Sequence, residues 1–405
     1  MPELLYRPEI LKARLDNDNY VSLEKMQTMA KQLEDFFASM NLPVTVTDTK
    51  YNNVAIVFSL VYKDLKTPKR FESKLNDIKK LQKDIEYCLC SPVEIAGDGN
   101  LIILAVKSFK RRSVTLRDLL SSPEFRNHPS PLAVAGGTDI SGGHFVFDLE
   151  KLGNLLIVGV TGTGKSTFLN DILLSVLAKA TPEQVKFVLM DFKRVELQHF
   201  GGIPYMYYDY TIKQPALALE KLRELRDVSN KREKMLNEMG VYNFSDYPQY
   251  EDSIPRILIV IDEFIELYQQ LLKIYPDKIA NEYWNEVLSC LEDISQKTLQ
   301  TGIHLVLVAQ TPLAYEPVEN KDENKEWSII DALRFVRNRA CLVATSQQEL
   351  KRIVNMTFTD RLLGEGDMYF YQGFEDRGTH IQTARVDPED VDRVVGYIRQ
   401  EYFGE

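Results

Sequence analysis

The chain has 405 residues, 44% hydrophobic and 27% charged, which at roughly 150 residues per domain predicts two or three globular domains and fits neither wholesale disorder nor a membrane protein. Its 49 basic and 59 acidic residues give a formal charge of −10, so the surface is not basic throughout and any nucleic-acid contact must be local. Apolar runs such as Leu155 to Val160 and Ile257 to Ile261 fall far short of the roughly 20 residues of a membrane span.

Met1-Pro2-Glu3-Leu4-Leu5-Tyr6-Arg7 opens no signal region. Cys88, Cys90, Cys290 and Cys341 are scattered without a second Cys or His pair and read as buried thiols in a reducing cytoplasm.

In chain order, a polar lead precedes a helix starting near Ser22, whose apolar face is Met26, Met29, Ala30, Leu33, Phe36, Phe37 and Met40. Val54, Ile56, Phe58 and Leu60 alternate as a half-buried strand, Phe71, Leu75, Ile78, Leu81 and Ile85 return to helical spacing, and Leu101 to Val106 is a further strand. Asn127-His128-Pro129-Ser130-Pro131 is a turn-rich exit.

Beyond it, short apolar strands alternate with long helices, the pattern of an α/β fold with a mostly parallel sheet covered on both faces. The strands are Leu155 to Gly159, Phe187 to Asp191, Ile257 to Asp262, His304 to Ala309 and Ala340 to Ala344, then Met368 to Tyr371 and His380 to Val386. A terminal helix runs from Pro388 to Phe403.

Gly159-Val160-Thr161-Gly162-Thr163-Gly164-Lys165-Ser166, followed by Thr167, fits the phosphate-loop pattern and lies between an apolar strand and an amphipathic helix. Its glycines let backbone N–H groups wrap phosphates, Lys165 reaches the β and γ phosphates of ATP, and Ser166 offers a hydroxyl to Mg²⁺. The strand ending in Asp262-Glu263 supplies a second part: Asp262 for the metal and Glu263 as general base toward the attacking water. Gln310 ends the next strand, at the edge where ligands of parallel sheets gather, and is a candidate to orient water or sense the γ-phosphate.

The chain resembles the motor portion of the FtsK/SpoIIIE family of double-stranded DNA translocases. The resemblance rests on Gly137-Thr138-Asp139-Ile140, the phosphate loop, Asp191-Phe192-Lys193-Arg194-Val195-Glu196-Leu197, Asp262-Glu263-Phe264, Gly302-Ile303-His304-Leu305 and Leu362-Leu363-Gly364-Glu365-Gly366-Asp367-Met368, all in family order. It implies a lead segment 1–21, a small α/β domain 22–128 and a RecA-like P-loop ATPase motor 129–405. It further implies a homo-oligomeric, hexameric ring that hydrolyses ATP with Mg²⁺ and threads double-stranded DNA. The expected location is cytoplasmic, at the inner face of the membrane where a membrane-anchored partner holds it. The membrane helices and winged-helix module of relatives are absent from this sequence.

The helix before Gly302 lacks the family's trans-acting arginine, having Lys297-Thr298-Leu299-Gln300-Thr301, and the family's Gln-Arg-Pro is Gln310-Thr311-Pro312. Arg339 does match a family arginine. Because such a finger is worth about 10³–10⁵ in rate, slow hydrolysis is expected unless Lys297 or Arg339 substitutes. Two segments expected near a pore, 269–284 and 313–327, are long, and the second carries five acidic residues from Glu316 to Glu326. Lys107, Lys110, Arg111, Arg112 and Arg117 form the densest basic cluster. Two alternatives stay open: a related ring ATPase of conjugation or type VII-like secretion, and a weakly hydrolysing ATP-binding subunit.

Overall fold

The computed structural model describes residues 4–12, 22–51, 55–63, 68–98, 101–107, 114–247, 254–310, 333–343, 362–373 and 378–404. They fall in two compact units, one of 1–13, 115–136 and 146–405, the other of 14–114 and 137–145. The chain therefore divides at 114, ahead of the turn-rich passage near 128.

The smaller unit begins with α1 (Leu23–Ser39), started by Ser22, whose hydroxyl accepts from Lys25 N–H as an N-cap. It continues through β1 (Val44–Tyr51), β2 (Ala55–Tyr62), α2 (Pro68–Lys80), α3 (Gln82–Leu89), β3 (Val93–Asp98) and β4 (Leu101–Lys107). The sheet is antiparallel, ordered β1-β2-β4-β3. Met29, Leu33 and Phe37 of α1 pack with Phe58, Ile78, Ile85 and Leu104 in one core. The expected single helix from Phe71 to Ile85 is two, broken at Leu81. Strand β2 is an inner strand buried on both faces rather than half-buried. Of the expected buried thiols only Cys290 and Cys341 are; Cys90 is exposed in a left-handed cap ending α3, and Cys88 is partly exposed.

The larger unit contains α4 (Leu116–Ser121), α5 (Pro123–Arg126), the first part of β5 (Ala133–Asp139), the last part of β6 (His144–Asp148), α6 (Leu149–Leu152), β7 (Asn154–Gly159), α7 (Lys165–Lys179), β8 (Val185–Asp191), α8 (Pro215–Glu238), β9 (Arg256–Asp262), α9 (Phe264–Ile274), α10 (Asp277–Ser295), α11 (Thr298–Thr301), β10 (Ile303–Gln310), β11 (Arg339–Cys341), β12 (Asp367–Tyr371), β13 (Thr379–Gln382) and α12 (Pro388–Phe403). Residues 115–128 join this unit because Leu116, Leu119, Leu120 and Phe125 are buried and Lys179 Nζ on α7 donates to the carbonyls of Phe125 and Arg126 at 2.7 and 2.8 Å.

The lead is not wholly polar in behaviour. Tyr6 and Leu11 are buried, the Tyr6 hydroxyl donates to the Leu174 carbonyl at 3.0 Å, and Lys12 bonds Asp387 and Glu389 at the start of α12.

The sheet order is β6-β5-β13-β12-β11-β7-β10-β9-β8. Strands β11, β7, β10, β9 and β8 are mutually parallel; β12 runs antiparallel to β11, and β13, antiparallel to β12, returns to the direction of the parallel set. The fold is thus a RecA-like P-loop ATPase domain with a mostly parallel sheet. Leu156, Val158, Ile259, Leu305 and Leu307 from alternate sheet positions share one core with Leu222, Phe264 and Trp284 from α8, α9 and α10. Most of α7 is buried.

Segment 269–284, expected near a pore, is the α9–α10 hairpin with Leu271, Ala280 and Trp284 in the core and Ile274 and Ile279 exposed. The acidic stretch Glu316 to Glu326, residues Thr311 and Pro312, Ala344, and Lys110, Arg111 and Arg112 lie outside the described residues. No helix among the described residues is long and apolar enough to cross a membrane.

Candidate nucleotide-binding site

Strand β7 delivers the phosphate loop at its carboxyl end, and α7 begins at Lys165, so the loop's N–H groups and the helix N-terminus share one mouth. Gly164 adopts φ +109°, and a Cβ there would lie 2.7 Å from Gly366 N. Only glycine fits both constraints. The loop is braced on itself by Thr163 Oγ1 donating to the Val160 carbonyl at 2.8 Å, and on the segment just after β11 by Val160 N–H donating to the Val343 carbonyl at 2.8 Å.

Lys165 is buried, and its Nζ donates to the same Val160 carbonyl at 3.0 Å. Burial lowers its pKa, against the opposing pull of Glu263 and Asp262. The ammonium is thus folded onto the loop whose phosphates it would bind.

Strand β10 lies between β7 and β9. This order puts Gln310 beside Gly159 and the end of β9 one strand further out. Asp262 closes β9 in register with Asp191 of β8. Its carboxyl is pushed up to about 7, first by burial, then by the charges of Glu263, Asp191 and Glu196, with Glu263 N–H counteracting.

Glu263 takes a left-handed backbone, φ 51° and ψ 56°, where the strand turns into α9. A non-glycine residue there costs of order 1 kcal/mol, which its surroundings must offset. Its Oε1 accepts from the Gln310 amide and pairs with Lys193 Nζ at 2.8 Å. Thr161 Oγ1 in turn donates to Gln310 Oε1 at 3.2 Å. Gln310, Glu263 and the phosphate loop are therefore one connected network.

Lys193 was given no role by the sequence pattern. It reaches the site because Asp191 accepts from the backbone N–H groups of Arg194, Val195 and Leu197 at 2.7, 2.9 and 3.2 Å, winding the segment after β8 back over the strand ends. The other addition is the turn 364–366, whose Gly366 N–H donates to the Thr163 carbonyl at 2.7 Å.

Arg339 is not brought to this mouth. It pairs with Leu156, three residues before the end of β7, and with Tyr371, and its Nε is buried with no hydrogen-bond partner among the described residues. Lys297 is engaged elsewhere, with Glu233 at 2.5 Å and Asn230 at 2.8 Å on α8. Val160, Gly162, Ser166 and Thr167 lie in or just after the loop as expected.

The residues at hand suit a magnesium ion: a serine hydroxyl and carboxylates are hard oxygen donors, and a cation beside Asp262 would relieve the crowding of its carboxyl by Glu263, Asp191 and Glu196.

Fold and site together define the class, a RecA-like P-loop ATPase domain with a nucleotide-binding site. Residues 115–314 match the family model described as FtsK/SpoIIIE family. The chain is 31% identical over 298 residues to the DNA translocase FtsK of Clostridium tetani, covering 72% of this chain and 37% of that protein. It is 30% identical over 340 residues to the DNA translocase SftA of Bacillus subtilis, covering 81% and 33%. The chain belongs to the FtsK/SpoIIIE family, and it spans only about a third of the length of these two relatives.

Among solved structures, the pCW3 conjugation coupling protein TcpA, in its monomer form with ATPγS, superposes with TM-score 0.56 at 17% identity, covering 91% of this chain and 99% of that one. The cytoplasmic domain of the type VII secretion ATPase EccC of Thermomonospora curvata gives TM-score 0.54 at 21% identity, covering 71% and 34%. At those identities the likeness establishes the fold.

Proposed function

We propose that this chain is an ATP-driven motor that moves double-stranded DNA, acting as a homo-oligomeric, hexameric ring in the cytoplasm, at the inner membrane face where an anchored partner holds it. The observation that carries the hydrolytic part is the meeting of Lys165, Asp262 and Glu263 at the carboxyl ends of the parallel strands β7 and β9, with Gln310 of the intervening β10 tying Glu263 to the phosphate loop. The DNA part is supported by about 30% identity to proteins named DNA translocases.

In this reading Gly159 to Thr167 wrap the phosphates, and Lys165 exchanges its bond to the Val160 carbonyl for phosphate oxygens. Ser166 and Asp262 would hold Mg²⁺. Bound there, the ion screens the phosphate charge and stabilises charge developing in the transition state. Glu263 takes the proton of the attacking water, and Gln310 holds Glu263 and the water in line. Lys193, paired with Glu263, holds the carboxylate in place. Arg339, remote from its own chain's site, serves as the arginine that reaches a neighbour's nucleotide.

The test compares ATP hydrolysis with and without long duplex DNA at low and moderate salt. Stimulation that falls steeply with salt supports phosphate contacts; no stimulation at either salt sinks the DNA substrate in favour of a polypeptide or relaxase-bound cargo.

A further inference from the structure

The turn between Leu363 and Asp367 is unusual in its backbone. Gly364, Glu365 and Gly366 take φ values of +80°, +53° and +86° in succession, a run that the two glycines permit and in which Glu365, an L-residue, is held by surrounding contacts. Those contacts come from β12 and β13. Asp367 is almost wholly buried and bonds both sides of the turn's base: its Oδ2 accepts from Leu363 N–H at 2.8 Å, its Oδ1 pairs with His380 Nε2 at 2.5 Å, and its own N–H donates to the Gly364 carbonyl at 3.1 Å. From β13 and the residue beyond it, Gln382 Nε2 donates to the Glu365 carbonyl at 2.7 Å and Thr383 N–H donates to the Gly366 carbonyl at 2.9 Å.

The turn so held meets the phosphate loop. Gly366 N–H donates to the Thr163 carbonyl at 2.7 Å, and the two backbones are so close that a Cβ on Gly164 would lie 2.7 Å from Gly366 N and 2.9 Å from its Cα. On the far side, a Cβ on Gly366 would meet Thr383 Oγ1 at 2.4 Å. The phosphate loop thus has a second wall about 200 residues further along the chain.

We propose that Asp367, paired with His380, is a positioning residue for nucleotide binding: it fixes the 364–366 turn so that Gly366 clamps the Thr163 carbonyl and preorganises the phosphate loop. This rests on the nucleotide-binding reading of that loop. A preorganised loop spends less of the binding free energy on ordering itself. Linkage then requires the converse, that nucleotide on the loop tightens the turn.

The test uses the full chain and a fluorescent ADP analogue titrated with Mg²⁺ present. Asp367→Ala is expected to weaken binding at least tenfold with unchanged circular dichroism. Asp367→Asn, which keeps an acceptor for Leu363 and an amide for the His380 ring, should rescue binding to within about threefold. A folded Asp367→Ala variant that binds as the wild type does would overturn the proposal, and so would an Asp367→Asn variant as impaired as alanine. Should the alanine variant fail to fold, hydrogen exchange of the wild type decides: the amides of Gly366 and Asp367 should exchange more slowly with nucleotide, and unchanged exchange at saturation contradicts the clamp. Failure of the wild type to bind the analogue at all would instead strike the nucleotide-binding reading itself.

Discussion

Asp191 and Asp262 end adjacent parallel strands in register, and the structure treats them differently. Asp191 spends its oxygens on three backbone N–H groups, whereas Asp262 accepts from Glu263 N–H and is pushed up to about 7 by burial and neighbouring acids. A carboxylate whose folded pKa lies above its unfolded value costs stability above that folded pKa, and the cost vanishes below the unfolded one. Asp262→Asn should therefore melt several degrees higher than wild type at pH 8 without nucleotide, at about 2–4 °C per kcal/mol for a large domain. The gain should shrink toward pH 4. Differential scanning calorimetry checks this, and a variant destabilised at pH 8 would refute it.

Glu263 is held by Gln310 and Lys193. Glu263→Gln should bind ATP about as wild type does while turnover falls by about 10²–10⁴, the usual worth of a positioned general base. Full ATPase activity in that variant removes Glu263 from the role. Gln310→Ala should lower kcat less and leave nucleotide affinity unchanged, measured by stopped-flow phosphate release.

Arg339 stands apart from its own chain's phosphate loop. If it acts on a neighbour, Arg339→Ala should assemble and bind nucleotide normally yet hydrolyse at least tenfold more slowly, given the range for such arginines. Mixed assemblies containing Glu263→Gln subunits should then show complementation set by subunit order. An Arg339→Ala ring with normal hydrolysis eliminates the residue.

His304 is fully buried on β10, and its pKa is lowered to about 3 by burial, helped by the charges of Arg256 and Arg232. Its depressed pKa means that the unfolded chain binds the proton first as pH drops. Stability is complete above about 6.5 and is lost below it, with a slope approaching 1.4 kcal/mol per pH unit. Asp262 acts in the opposite sense over an overlapping window, so the comparison belongs in the Asp262→Asn background. There, His304→Leu should flatten the fall in melting temperature between pH 6.5 and 4.5.

The phosphate loop and Asp262-Glu263 were legible because each is a contiguous run whose residue types have one shared use. Gln310 could be placed because a strand end in a parallel sheet is a known address. Lys193 could not: its arrival depends on the β8–β9 register and on the turn that Asp191 winds. The 364–366 turn was visible as a motif, but its contact with Thr163 joins segments some 200 residues apart. In the smaller unit, β1 reads Val-Thr-Val-Thr-Asp-Thr-Lys-Tyr, an edge strand with much of it exposed, which offers too weak an apolar alternation to announce itself. Strand β5 was hidden by Gly136 and Gly137, residues that favour turns when read locally.

The most direct measurement is displacement of a triplex-forming oligonucleotide from linear duplex DNA. The wild-type chain should release it at a rate that depends on ATP, and the Glu263→Gln variant should not. Equal release by the two proteins, or ATP hydrolysis by the wild type with no release at any salt, would contradict a motor that moves along double-stranded DNA.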